Sequence, residues 1–167
     1  ALDVTVQAQI LDLLQSMQQD RYMGMILVTH DLGVVAGRAH DIAVMYAGRI
    51  VECATVEELF EKPQHPYTEG LFRSMPTLGG HKQRLQTIEG QVPNPANLPT
   101  GCKFHPRCVR MNGDPKCSTI DPELREVQPG HWAACHHVAG FESAPLTRPV
   151  LQHRRAARPV ATAEVAQ

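Results

Sequence analysis

The sequence predicts an α/β fold followed by a loop-rich segment carrying four closely spaced cysteines. Three observations predict it. Hydrophobic patterns run helix-strand-helix-strand from the first residues onward. The run Met25-Ile26-Leu27-Val28-Thr29 is continuously apolar and too short for a helix, which suits a strand buried on both faces of a parallel sheet. From Pro76 the texture changes, with Gly79-Gly80 and then Pro93, Pro95 and Pro99 setting loops rather than elements.

The elements follow in order. Val6, Ile10, Leu13, Leu14 and Met17 trace one helical face over residues 5–19, with Asp3 or Thr5 as the cap and Gly24 as the exit. After the 25–29 strand, Asp31 is placed to cap a short helix over 32–39. Strands at 42–46 and 49–53 are joined at Ala47-Gly48 in hairpin fashion. Thr55-Val56-Glu57-Glu58 forms a capping box, because the hydroxyl and the carboxylate can each satisfy a backbone donor at a helix start. That helix reaches about residue 62, Pro63 and Pro66 interrupt it, and another over 67–75 is expected to bury Leu71, Phe72 and Met75.

Composition narrows the classes. With 167 residues, 43% hydrophobic and 20% charged, the chain has material for one ordinary domain, or a smaller domain plus an appendage. The net charge of −1 gives no overall basic field to select nucleic acid. No run approaches the roughly 18 apolar residues that cross a bilayer. We expect a soluble chain that reaches a membrane through a partner. Residues beyond 143 lack periodicity and are locally basic through Arg148, Arg154, Arg155 and Arg158, and are expected to form a disordered tail.

The cysteines divide unevenly. Cys53 stands within a strand and reads as a small buried hydrophobe. Cys102, Cys108, Cys117 and Cys135 have the spacing C-x5-C-x8-C-x17-C. Four thiolates can hold a tetrahedral zinc or an iron-sulfur cluster, since both prefer soft sulfur ligands, while disulfides depend on the compartment. The absence of a tight C-x2-C pair counts against a zinc ribbon or finger. His105 and His131 are read as surface residues or supporters of the ligands, able to substitute for them. His136 and His137 become candidates if the metal is zinc.

His30 follows the 25–29 run, the place where ligands bind in open α/β sheets. By position alone it reads equally as a capping or packing residue. The joint pattern decides the assignment. Ala1-Leu2-Asp3-Val4-Thr5-Val6-Gln7-Ala8-Gln9-Ile10 resembles the D-loop and following helix of ABC-transporter ATPases, and Leu27-Val28-Thr29-His30-Asp31-Leu32 resembles their H-loop. Val44 to Glu52 looks like the hairpin that follows in the peptide-importer branch. Pro63-Gln64-His65-Pro66-Tyr67-Thr68 and Gly101-Cys102-Lys103-Phe104-His105-Pro106-Arg107-Cys108 resemble the C-terminal extension of oligopeptide, dipeptide and nickel importer ATPases.

The resemblance covers roughly residues 1–138 and implies an organisation. Residues 1–75 would be the C-terminal part of an ABC (P-loop NTPase) nucleotide-binding domain, 76–99 a linker, 100–138 the cysteine-rich extension, and 139–167 the tail. It implies a truncated ATP-hydrolysing subunit that energises import of peptides, or of related solutes such as nickel, from the inner face of the cell membrane. ATP and Mg would be its cofactors, His30 its switch histidine at the γ-phosphate, and Asp3 a residue at the interface of two nucleotide-binding domains. A second ABC ATPase subunit and two permeases would be its partners, with an extracytoplasmic solute-binding protein engaged indirectly. It implies a [4Fe-4S] cluster on Cys102, Cys108, Cys117 and Cys135, with zinc as the alternative. His40 and Asp41 stand where relatives more often show Asp followed by Arg, so no role is carried onto them.

The chain starts Ala1-Leu2-Asp3 without Met and enters a helix at once, which reads as a cut inside the domain. The pattern G-x-x-x-x-G-K-[ST] does not occur in it. The fragment alone is therefore expected neither to bind ATP tightly nor to hydrolyse it. A competing reading is a standalone cysteine-rich metal-binding module that binds a protein or nucleic acid. The cysteine segment shows no strong Lys/Arg stripe and no interleaved aromatics to support nucleic-acid binding.

Overall fold

The computed structural model describes residues 4–75 and 87–149. They form two compact units, divided after Arg38. Asp3, most of the expected 76–99 linker's first half and the basic tail from 150 lie outside the described residues.

The first unit contains α1 (Val4–Arg21) and α2 (Leu32–Arg38). Arg38 ties α2 back to α1, donating to Gln15 at 2.8 Å and to Asp12 at 2.7 Å. Asp31 caps α2 as expected, its Oδ1 accepting from the backbone of Gly33 at 2.9 Å and of Val34 at 3.3 Å. Thr5 lies inside α1 rather than at its cap. Two expectations fail in this unit. The 25–29 run forms no strand, and Ile26 and Val28 are 90% and 92% exposed. A strand takes its hydrogen bonds from a neighbour, and no described strand pairs with this run. The expected α1 stripe of Val6, Ile10, Leu13, Leu14 and Met17 is also exposed, while Leu11 is buried. Within the unit's described residues the other helix is the seven-residue α2, too short to cover that stripe.

In the second unit β1 (Asp41–Tyr46) and β2 (Arg49–Thr55) make the expected hairpin. Ala47 and Gly48 take φ of 48° and 78°, the left-handed pair that matches a two-residue loop to strand twist. Along β1, Ile42, Val44 and Tyr46 are buried and alternate with exposed Ala43 and Met45. β2 instead buries Val51, Glu52, Cys53 and Ala54 in succession. Its other edge explains this, because β4 (His131–Ala133) pairs there, followed by β3 (Arg125–Gln128). The order is β1-β2-β4-β3 and every pairing is antiparallel. The helix-and-strand mixture matches the expectation; the described sheet differs in being antiparallel, and it joins the hairpin directly to the cysteine segment.

Thr55 opens α3 (Val56–Glu61) by accepting from the Glu58 backbone at 3.3 Å, and its hydroxyl meets the Glu58 carboxylate at 3.3 Å. Leu59 is fully buried, and α3 packs on β1 and β2. His65 caps α4 (Pro66–Arg73), with Pro66 at the first helical position, where a missing N–H costs nothing. The helix buries Pro66 and Thr68, whereas Leu71, Phe72 and Met75 are half-buried, contrary to expectation. Phe72 stacks on Phe60 of α3 at 4.5 Å, at a partly open edge. α5 (Pro115–Thr119) is capped by Asp114. A small apolar cluster of Ala133, Cys135, Val138 and Phe141, with Val127 against it, supports the cysteine segment.

Glu52 fastens these parts together. Its side chain is fully buried on β2. One carboxylate oxygen accepts from the Gln64 backbone at 2.6 Å and from His131 Nε2 at 2.7 Å, and the other accepts from the His65 backbone at 3.0 Å. The hairpin, the turn before α4 and β4 thus share one acceptor. Burial alone would raise this carboxyl. Hydrogen bonds from His131, Gln64 and His65, with the Thr68 hydroxyl nearby but outside hydrogen-bonding geometry, outweigh burial and hold it below its ordinary 4.5.

A pH dependence follows from the sign of that shift. A carboxyl lowered by folding contributes stability that is complete above 4.5 and is lost as pH falls through the lower folded value. Glu52→Gln turns one acceptor oxygen into a donor facing donors. We expect it to cost about 2–4 kcal/mol at neutral pH and to flatten the acid limb of the stability profile. Urea denaturation of the full chain at a series of pH values measures both effects, and an unaltered acid limb would count against the assignment.

Candidate functional site

The four cysteines reach one cavity by different routes. Gly101 (φ 62°) turns the chain so that the Cys102 backbone donates to the Cys117 carbonyl at 2.9 Å. Cys102 and Cys108 flank the short 3-10 turn His105–Arg107, Cys117 lies on α5, and Cys135 follows β4. All four line a single cavity together with His65, Pro66, Phe104, His105, His136 and His137. Cysteines up to 33 positions apart thus line the same cavity.

An aromatic wall backs this cavity. Phe104 is buried against Tyr46 at 5.2 Å, Tyr67 at 5.5 Å and His65 at 5.8 Å between ring centroids. Arg107 donates to the carbonyls of Ile88 and Glu89, each at 3.0 Å, and to the Tyr46 hydroxyl at 3.4 Å. Arg110 donates to the Gln64 carbonyl at 3.0 Å and pairs with Glu69. The cysteine loop is thus tied to the turn and helix that begin at His65.

Burial sets the thiol chemistry. Desolvation, followed by the charge of neighbouring groups, pushes Cys117 up to about 11 and Cys135 up to about 12. Cys102 is raised by burial as well, although backbone hydrogen bonds from Phe104 and His105 favour its thiolate. The His137 backbone does the same for Cys135. Raised thiols are poor nucleophiles. The four thiols share one cavity, but among the described residues the donor atoms that lie within ligand distance of one another are those of Asp114, Cys117 and His137.

The histidines separate by position. His105 donates through Nδ1 to the Cys102 carbonyl at 2.9 Å and lines the cavity. His136 donates to the Ile120 carbonyl at 3.0 Å. His137 Nε2 stands 3.2 Å from Cys117 Sγ and 3.6 Å from Asp114 Oδ2, so Asp114, Cys117 and His137 form a second compact donor set. His131, expected at the surface or as a substitute ligand, is buried on Glu52 instead. Cys53 is buried on β2 as expected, and burial pushes its thiol up to about 11.

His30 is exposed at the end of the 22–30 segment, in the first unit. Asp3 lies outside the described residues. Sequence reasoning missed Glu52, His65 and Asp114. Glu52 had a signal, being a charge between apolar Val51 and Cys53 in a strand. His65 directly before Pro66 had the form of a cap, and Asp114 before Pro115 repeats it.

Comparison with known proteins shows what this chain resembles. Residues 51–117 match the oligopeptide/dipeptide transporter C-terminal region. The chain is 52% identical over 141 residues to a putative peptide import ATP-binding protein of Brucella ovis, covering 81% of this chain and 41% of that one. It is 47% identical to an oligopeptide transport ATP-binding protein of Bacillus subtilis over 81% of this chain and 40% of the relative. It is 42% identical to a dipeptide transport ATP-binding protein of Escherichia coli over 82% and 41%. The chain thus spans about two-fifths of the length of the curated relatives it matches. The resemblance read from the motifs is borne out, and these relatives lend no support to the standalone-module reading. Among the described residues no helix is long and apolar enough to cross a membrane.

Gly101 offers a direct test of the cavity's construction. A Cβ there would lie 2.5 Å from the Cys117 carbonyl oxygen and 2.6 Å from the Ser118 carbonyl carbon, at a φ that disfavours any side chain. Gly101→Ala is expected to destabilise the full chain by about 2 kcal/mol or more. Urea denaturation measures the loss, and wild-type stability would contradict the close approach.

Proposed function

We infer from residues 51–117, which belong to the oligopeptide/dipeptide transporter C-terminal region, that this chain forms part of the ATP-binding subunit of a peptide importer. The observation that carries the reading is the family match joined to 42–52% identity with peptide, oligopeptide and dipeptide import ATP-binding proteins. In this reading residues 1–75 complete a P-loop NTPase domain, 100–138 form its cysteine-containing extension, 76–99 link the two and 139–167 trail behind. The exposed apolar stripe of α1 and the exposed Ile26 and Val28 of the 25–29 run suit burial within such a domain. ATP with Mg is the cofactor, and peptides or related solutes such as nickel are the cargo.

His30 contacts the γ-phosphate and positions the attacking water, and Asp3 works at the interface with a second ATPase subunit. Two membrane permeases complete the importer on the inner face of the membrane, and a solute-binding protein delivers cargo to them. In a full-length version, His30→Ala is expected to lower ATP turnover about 100-fold while leaving ATP affinity within about threefold. Steady-state hydrolysis and nucleotide titration measure the two quantities. Unchanged turnover returns His30 to a packing or capping role.

Cys102, Cys108, Cys117 and Cys135 hold a [4Fe-4S] cluster in this reading, supported by the one cavity that all four line. Such a group cross-links a loop-rich segment that has little apolar core. A second reading is zinc, which the mixed donor set of Asp114, Cys117 and His137 favours. Anaerobic purification of the full chain, with iron, sulfide and zinc analysis and optical spectra, separates the two. We expect about four iron and four sulfide per chain, with loss of both in Cys135→Ser; one zinc per chain without sulfide selects the second reading.

A further inference from the structure

We propose that His65 is a positioning residue that donates an Nε2–H hydrogen bond to a sulfur of the metal group held by the four cysteines. The inference rests on the four-thiol reading above and deepens it.

The proton's location follows from hydrogen-bond accounting. His65 Nδ1 accepts from the Tyr67 backbone at 3.1 Å, and a backbone N–H can only donate. Nδ1 is therefore bare. The ring keeps its proton on Nε2, which makes Nε2 a donor. Among the described residues that donor has no acceptor, although it is shielded from solvent and the side chain is only 1% exposed. An unpaired buried donor is costly, so its persistence calls for a partner.

The surroundings limit what that partner is. The backbone N–H of His65 is already given to Glu52, so the carboxylate holds the residue in place from behind. Phe104 lies 5.8 Å from the imidazole, and Pro66 adds another apolar surface. The remaining chemistry beside His65 is the cavity it lines with Cys102, Cys108, Cys117 and Cys135. Thiolate or sulfide sulfur is an acceptor there once metal has replaced the thiol protons. The role of His65 is thereby double: Nδ1 starts α4 and Nε2 faces the group.

Two substitutions separate those roles. His65→Asn keeps an oxygen near Nδ1 to cap α4 and removes the Nε2–H. His65→Gln places an amide N–H near Nε2 and gives up the cap. The full chain is loaded anaerobically with ferrous iron and sulfide, and its midpoint potential is measured by optical redox titration. A donor to sulfur stabilises the added electron, so its loss lowers the potential. We expect a lower potential in H65N and a nearly wild-type potential in H65Q, even if H65Q unfolds more easily in urea. Loaded with zinc instead, H65N is expected to bind 10–100-fold more weakly by chelator competition and H65Q to stay within about threefold.

A wild-type potential and zinc affinity in H65N, or equal shifts in both variants, overturns the donor and leaves the four-thiol reading intact. A chain that takes up neither iron nor zinc, or keeps its metal after Cys102→Ser and Cys135→Ser, overturns that reading and the donor with it.

Discussion

The second unit depends on a single buried carboxylate. Glu52 sits on β2 where alternation would leave room for an outward side chain, yet it is fully enclosed. Such a group is tolerable only when its oxygens are satisfied. Three donors from two separate parts of the chain satisfy it, at 2.6, 2.7 and 3.0 Å. Because Gln64 and His65 give backbone rather than side-chain donors, the carboxylate fixes the path of the main chain entering α4. His131 brings β4 onto the same anchor. Burying one acid therefore sets the register between the hairpin and a strand 79 residues away.

The cavity inherits its order from that anchor. His65 is held through its backbone by Glu52 and in turn caps α4 through its ring. Arg110 then binds the Gln64 carbonyl and Glu69, which draws the cysteine loop against the same turn. On the opposite side Gly101 lets the chain pass within contact of the Cys117 carbonyl. Thiols far apart in sequence are thus brought together by contacts in which the thiols take no part. A cavity built this way takes its shape from the surrounding contacts, which would lower the ordering cost of any group bound in it.

Local features were legible in the sequence because local physics determines them. The Thr55 cap, the Asp31 cap and the Ala47-Gly48 turn each depend on residues within a few positions of one another. The four cysteines stood out in the sequence by their clustering, and the cavity they line is shared by all four. The strand at 25–29 was not correctly read, because an apolar run specifies burial and β-propensity but cannot supply its own hydrogen-bonding neighbour. The α1 stripe stays exposed because the short α2 cannot cover it. The pairing of Glu52 with His131 was overlooked because it spans 79 positions, and neither residue alone distinguishes a solvated charge from a buried anchor.

The two kinds of cross-link in the second unit answer different needs. The Glu52 network is complete within the protein and secures the sheet and the turn before α4. The segment beyond it has a four-residue apolar cluster, far too little surface to order some forty residues unaided. Its thiols lie on the loop around the 3-10 turn, on α5 and after β4, so a centre bonded to all four would close every loop between residues 102 and 135 at once. Closing loops restricts the unfolded chain and stabilises the folded one without requiring any more apolar burial. The buried carboxylate and the thiol cavity meet at His65, whose backbone answers to one and whose ring lines the other. That shared residue makes the geometry of the cavity depend on the anchor of the sheet.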